Sequence, residues 1–188
     1  TKIHAGLDNS SYTQKKTISI DKYQIGGTFA CQADRTSLDL ENAVYPEYLI
    51  HWDSPSGKLH IAGQIDLLVK KGNSIVIGDW KTNKKIDTKS YFDSKVRSSV
   101  KMKFPLNNLD DCNYYHYCLQ LSTYAYIIES YNPDFSIEDL VLVHFDHNDN
   151  MTVYHLPYLR KEVERMLSYY EKEHLLQERR LKNKRIEY

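Results

Sequence analysis

The chain has 188 residues, with 25 Lys and Arg against 25 Asp and Glu. Its zero formal charge excludes a protein that coats nucleic acid through global charge, so any phosphate contact must come from a local patch. Three cysteines, Cys31, Cys112 and Cys118, show no Cys-x-x-Cys spacing, which argues against a disulfide framework or a zinc site. Without a long apolar run or a signal peptide, the sequence reads as one intracellular, cytoplasmic domain over residues 1–188, with no membrane contact. The absence of an initiating methionine suggests a fragment lacking its native N-terminus.

In chain order, residues 1–44 are polar and lack sustained periodicity, with no more than a helical turn expected at the start. Gly26-Gly27 reads as a turn or a flexible crossing. Val44 to Asp53 has strand composition, with Pro46 pushing it toward an edge or a strand start, and Ser54 to Gly57 is a loop. Two β-rich runs follow, Leu59–Lys70 and Ser74–Trp80, on either side of Gly72-Asn73, a dipeptide that closes two-residue hairpins. In that register, paired residues have numbers that sum to 145, so Asp66 faces Asp79. Like charges directly opposed are destabilising unless something positive lies between them, and Lys81 shares the face of Asp79.

Two carboxylates and an ammonium in one place suit a hard divalent cation, which takes one or two carboxylates and fills its other positions with water and phosphate. The chemistry implied is metal-assisted phosphodiester hydrolysis. The competing reading is a surface hairpin whose Asp and Lys groups merely pair, for about 0–1 kcal/mol. Against it, Asp79 continues a face that begins apolar at Ile75 and Ile77, which is costly for an aspartate without a partner.

Beyond Thr82 lies a stretch of roughly thirty residues without clean periodicity. Between Asn83 and Lys103, seven basic residues (Lys84, Lys85, Lys89, Lys95, Arg97, Lys101 and Lys103) stand against Asp87 and Asp93. This local excess either draws phosphates toward the site or is an ordinary solvated loop. Tyr91 and Phe92 lie among these charges and are suited to stacking on bases. Asn113 to Tyr131 reads as a helix stopped by Asn132-Pro133, with Tyr117, Leu121, Tyr124, Ile128 and Tyr131 as its buried stripe and Gln120 beside Tyr124 at the edge. Leu140–Phe145 and Met151–Leu156 are short strands, and a long helix runs from Pro157 to about Lys184 with Leu159, Val163, Met166, Leu167 and Tyr170 on one face. The basic residues Arg179, Arg180 and Arg185 suit a helix C-terminus on electrostatic grounds alone. The fold class is α/β, a mixed central β-sheet flanked by helices.

The segments Gly63-Gln64-Ile65-Asp66, Asp79-Trp80-Lys81-Thr82 and Gln120-Leu121-Ser122-Thr123-Tyr124, with Thr1-Lys2-Ile3-His4 at the start, resemble in family order the motifs of the PD-(D/E)XK nuclease superfamily in its RecB-type exonuclease branch. The resemblance spans residues 1–124 and implies a restriction-endonuclease-like core acting as a Mg²⁺- or Mn²⁺-dependent deoxyribonuclease of phage or bacterial recombination, repair or replication. It implies that Asp66, Asp79 and His4, with the backbone carbonyl of Trp80, hold metal. It further implies that Lys81 acts on the nucleophilic water, that Gln120 and Tyr124 place the substrate, and that Glu47 either supports the site or is simply solvated. The substrate implied is DNA, single-stranded or at a duplex end, delivered by a recombination or replication partner. Some relatives carry an iron–sulfur cluster, for which this chain has too few cysteines. An RNA nuclease with the same site, or a non-enzymatic nucleic-acid-binding module, are the alternatives.

Overall fold

The computed structural model describes the backbone of residues 14–20, 23–29, 42–95 and 97–186, and the side chains of 42–95 and 97–177. It is a mixed α/β structure. The strands are β1 (Gln14–Ile20), β2 (Tyr23–Phe29), β3 (Ala43–Asp53), β4 (His60–Lys71), β5 (Ser74–Lys81), β6 (Phe92–Asp93), β7 (Ser98–Ser99), β8 (Ser136–Phe145) and β9 (Met151–His155). The helices are α1 (Asn113–Tyr131) and α2 (Arg160–Ile186). One seven-stranded sheet has the order β1-β2-β3-β4-β5-β8-β9, and β6 and β7 form a small hairpin of their own.

The central hairpin forms where the sequence places it. Its pairs run from Lys71↔Ser74 to Leu67↔Gly78, the register of a two-residue loop at Gly72-Asn73, with Gly72 at φ +59, a left-handed conformation that glycine adopts without steric cost. On its other edge β5 pairs in parallel with β8, through Asp79↔Leu142, Trp80↔Val143 and Lys81↔His144. Such a parallel pair needs a crossover, and α1 lies within it. Flanked on both edges, Ile75 to Trp80 are all buried, as a central strand of this kind requires.

The sheet has two apolar faces. Ile75, Ile77, Leu140 and Leu142 pack with Leu121, Ala125 and Ile128 of α1 and with Val163 and Leu167 of α2. Val44, Leu67, Val76, Trp80, Val141 and Val143 form the opposite face. Among the described residues, no helix is long and apolar enough to cross a membrane.

Several expectations change. Residues 14–20 and 23–29, read as lacking periodicity, form the β1–β2 ladder, and Gly26 and Gly27 pair with Thr17 and Lys16 inside it rather than making a turn. A ladder partner satisfies the backbone of a glycine pair that propensity alone would reject. Strand β8 begins four residues earlier than its apolar run, because Ser136 and Ile137 pair with Ser74 and Ile75. Helix α1 ends as expected, with the Asn132 N–H and Nδ2 both donating to the Ile128 carbonyl, at 3.0 and 3.1 Å. Its buried face is rotated from the expected stripe. Cys118, Leu121, Ser122, Ala125 and Ile128 are buried, Tyr117 and Tyr124 are half-buried at the border, and Tyr131 is exposed. Buried Ser122 fits because its hydroxyl accepts from the Leu159 N–H at 2.9 Å, tying α1 to the start of α2.

Candidate active site

Asp79 and Lys81 sit at the carboxyl end of β5, beside the carboxyl half of parallel β8. In open α/β sheets this is the end at which ligands bind. Asp79 is 2% exposed, and its Oδ2 receives Lys81 Nζ at 2.5 Å. Burial at that level makes the carboxylate dependent on its cation, because an unpaired buried charge is strongly unfavourable. Lys81 Nζ also lies 5.0 Å from the centroid of the Tyr117 ring, a cation–π contact that fixes the ammonium from its other side.

Asp66 is held differently from the sequence expectation. The β4–β5 ladder stops at Leu67↔Gly78, and one step further Asp66 Oδ2 accepts the Trp80 N–H at 2.9 Å. The lysine therefore neutralises Asp79, while a backbone donor holds Asp66 where the two strands part. On the other side of β4, pairing with β3 is interrupted only between Pro46↔Leu67 and Tyr48↔Ile65, at the row of Glu47 and Asp66. Glu47 has φ +50, and the side-chain alternation slips there on both strands. Tyr45 and Tyr48 share the α1 face on β3, as do Ile65 and Leu68 on β4. Register thus places Glu47, Asp66 and Asp79 in one row across three adjacent strands. Among the described residues, no three His, Cys, Asp or Glu side chains converge on a metal-sized point.

Helix α1 roofs this row. Gln120 Nε2 lies 3.4 Å from Asp79 Oδ1 and 3.3 Å from the Tyr124 hydroxyl. Tyr124 in turn lies against Gly63, where an added Cβ would stand 2.7 Å from its Cε1. The glycine before Asp66 is therefore a packing requirement for the tyrosine four residues beyond Gln120. Lys81, Asp79, Gln120 and Tyr124 are linked in a chain of contacts, and Asp66 meets the backbone between Asp79 and Lys81 at the Trp80 N–H. Trp80 turns its indole to the opposite face, and His4 lies outside the described residues.

The structure adds two groups that the sequence did not single out. Tyr117, expected in the core stripe, carries Lys81. His144, level with Lys81 on β8, is buried and donates from Nε2 to the Asn83 carbonyl at 2.6 Å, pinning the chain as it leaves the site. Neither has a local signal, since both depend on a parallel crossover. Cys118, in the second turn of α1, is fully buried, and that burial pushes its thiol up to about 12.

The basic stretch begins beside the site. Asn113 ties it to the first turn of α1, donating to the Lys85 carbonyl at 2.9 Å and accepting from the Asp87 N–H at 2.7 Å. Lys84, Lys89, Lys95, Arg97 and Lys103 are exposed. Lys85 pairs with Asp87 at 2.7 Å and Lys101 with Asp110 at 2.5 Å, so part of the expected excess is locally compensated. Tyr91 and Phe92 are largely exposed, at 77% and 58%.

The fold and site together define a mixed α/β protein with an aspartate–lysine centre at the carboxyl end of a central strand. No protein-family model matches the chain, and no curated protein matches it. Solved structures similar to it include that of SSO0001, at 17% identity and a TM-score of 0.37, covering 64% of this chain and 46% of that one. A candidate exonuclease from Eubacterium rectale is similar at 13% identity and a TM-score of 0.44, covering 69% of this chain and 43% of that one. The chain spans less than half the length of each.

A left-handed glutamate costs roughly 1–2 kcal/mol relative to an extended one. Glu47→Gly should therefore leave the urea midpoint unchanged or raised while lowering whatever activity the row supports. A stabilised variant with full activity would detach Glu47 from the site.

Proposed function

We propose that this protein is a divalent-metal-dependent nuclease that hydrolyses DNA phosphodiester bonds, in the manner of the RecB-type exonucleases that its motifs resemble. The observation that carries this reading is the buried Asp79–Lys81 pair beside Asp66, roofed by Gln120 and Tyr124. The donor set fits Mg²⁺ or Mn²⁺, hard cations that take carboxylate oxygens: Asp66, whose Oδ2 accepts the Trp80 N–H, and Asp79, whose Oδ2 meets Lys81, stand on adjacent strands. Asp66, Asp79 and the Trp80 carbonyl would hold the ion, with His4 as a further ligand. When bound, it would acidify a water and offset charge on the phosphoryl oxygens.

The chain's own residues do the rest. Lys81, fixed between Asp79 and Tyr117, steadies the attacking hydroxide and the charge that develops on the phosphate. Gln120 and Tyr124 keep Asp79 oriented and approach the substrate backbone. Lys84, Lys89, Lys95, Arg97 and Lys103 draw phosphates toward the end of β5.

The test is cleavage of end-labelled DNA and RNA of equal sequence, open and end-blocked, with Mg²⁺, Mn²⁺ or EDTA. Metal-dependent loss of open DNA supports the reading, whereas equal loss of RNA moves the substrate class. No cleavage of any of them overturns the reading. For the basic stretch, binding should weaken with salt at a log–log slope of about −0.7 to −0.9 per phosphate neutralised. Replacing Lys84, Lys85 and Lys89 together should make that slope shallower for all base sequences alike, with the smallest share from Lys85 because Asp87 already pairs with it.

A further inference from the structure

An open groove of about 430 Å³ lies between the loop 102–106, the outer side of α1 and the early turns of α2. That volume lies within the roughly 300–1,000 Å³ of pockets that take small organic ligands. Three features say what kind of group it fits. Gln120, whose amide reaches Asp79, also lines the groove, so the groove and the candidate reaction centre share that residue across α1.

Its walls are apolar and aromatic. Leu106, Leu119 and Met166 line the interior, and Phe104 and Tyr170 stand in its walls while remaining 66% and 53% exposed. The two rings are braced rather than loose. Phe104 meets Tyr169 edge-on at 5.1 Å between centroids, and Tyr169 meets Tyr170 in the same way at 5.6 Å. Large apolar surface left in water at a concave, pre-ordered site marks a binding surface.

The charge pattern is the third feature. Lys103 is exposed on the groove wall, and the acidic group there, Asp111, is paired with His116 at 2.8 Å. A cation beside ordered aromatic faces matches an anionic chain that carries flat, apolar rings. Bases within a duplex are stacked on one another and cannot turn into such a groove, whereas unpaired bases stack on aromatic side chains.

We propose that this groove receives the unpaired bases flanking the scissile phosphate, so that the protein engages its substrate as a single strand. The proposal rests on the nuclease reading of the Asp79–Lys81 site. In it, Phe104 and Tyr170 provide the stacking surfaces, Lys103 meets a phosphate, and Gln120 marks the boundary between base binding and chemistry.

The test is fluorescence anisotropy in EDTA with the chain as it stands. The probes are a labelled single-stranded DNA, the blunt duplex of the same sequence, and a single strand carrying abasic sites. The wild type should bind the ordinary single strand at least about tenfold tighter than the other two probes. Phe104→Ala and Tyr170→Ala should each lower that affinity by roughly 5- to 100-fold and leave the abasic strand unaffected. Tyr131→Ala, at the exposed far end of α1 and outside the groove, should have no such selective effect. If Phe104→Ala does not fold by circular dichroism, Tyr170→Ala, on an exposed helix surface, answers the same question. Equal affinity for ordinary and abasic strands, or wild-type affinity in the groove variants, overturns the proposal. Wild-type cleavage with Mg²⁺ or Mn²⁺ separates the two levels. Cleavage that ignores the groove variants overturns only the groove, whereas absence of cleavage removes the nuclease reading and this proposal with it.

Discussion

Asp79→Ala should lower DNA cleavage by about a thousandfold or more, and Lys81→Ala should do the same while also destabilising the fold. The shared effect follows from chemistry, since each change removes charge aimed at the reacting phosphate or its nucleophile. The difference in stability follows from burial. Asp79 side-chain exposure is 3% and that of Lys81 is 22%. Removing the aspartate leaves an ammonium that can still reach water and that lies against the Tyr117 ring. Removing the lysine leaves a carboxylate buried in the sheet without the cation that neutralises it. Breaking a buried pair in that direction costs about 3–5 kcal/mol, and the partial exposure of Lys81 places this case at the lower end. Urea unfolding of both variants checks the asymmetry. Mn²⁺ titration by calorimetry separates the roles: affinity should drop in Asp79→Ala and be no weaker in Lys81→Ala. Equal loss in both would mean that the lysine, too, is needed to build the metal site.

That asymmetry was not legible in the sequence, although the Asp79–Lys81 pairing was. The Gly72-Asn73 loop sets the hairpin register by counting, and the ladder follows that count to Leu67↔Gly78, one pair short of Asp66 and Asp79. Helix α1 has the bounds that its Asn132-Pro133 stop implies, because local chemistry ends it. Legibility stops where a feature depends on distant chain. The shared slip at Glu47 and Asp66 comes from a left-handed residue that no propensity scale assigns to glutamate. His144 reaches the Lys81 end of the sheet only through the parallel β5–β8 pairing. Tyr117 fits a core stripe by periodicity, yet it lies at the border of the buried face of α1, where it meets an ammonium. The β1–β2 ladder was missed because a glycine pair in its middle punctuates the sequence without interrupting the hydrogen bonding.

Gly63 gives the second large effect, and it acts at a distance from the chemistry. Gly63→Ala should lower cleavage by about a hundredfold while costing far less in stability than a core truncation. A Cβ at position 63 would stand 2.7 Å from Tyr124 Cε1, 3.2 Å from its hydroxyl oxygen and 3.3 Å from Cζ. Contacts that close require the ring to move. Tyr124 is only half-buried, so it can swing outward without opening a cavity, and the cost to folding stays small. Its hydroxyl, however, is 3.3 Å from Gln120 Nε2, and the same nitrogen approaches Asp79 Oδ1 at 3.4 Å. Displacing the ring therefore withdraws the glutamine from the buried carboxylate, and a misplacement of about 1 Å at a reacting centre can cost about a hundredfold in rate. Tyr124→Ala should lose activity by the same route. The double variant Gly63→Ala/Tyr124→Ala should be no worse than Tyr124→Ala alone, because the added methyl then has no ring to displace. A double variant whose losses multiply would show that Gly63 serves the site through its own backbone and not through Tyr124.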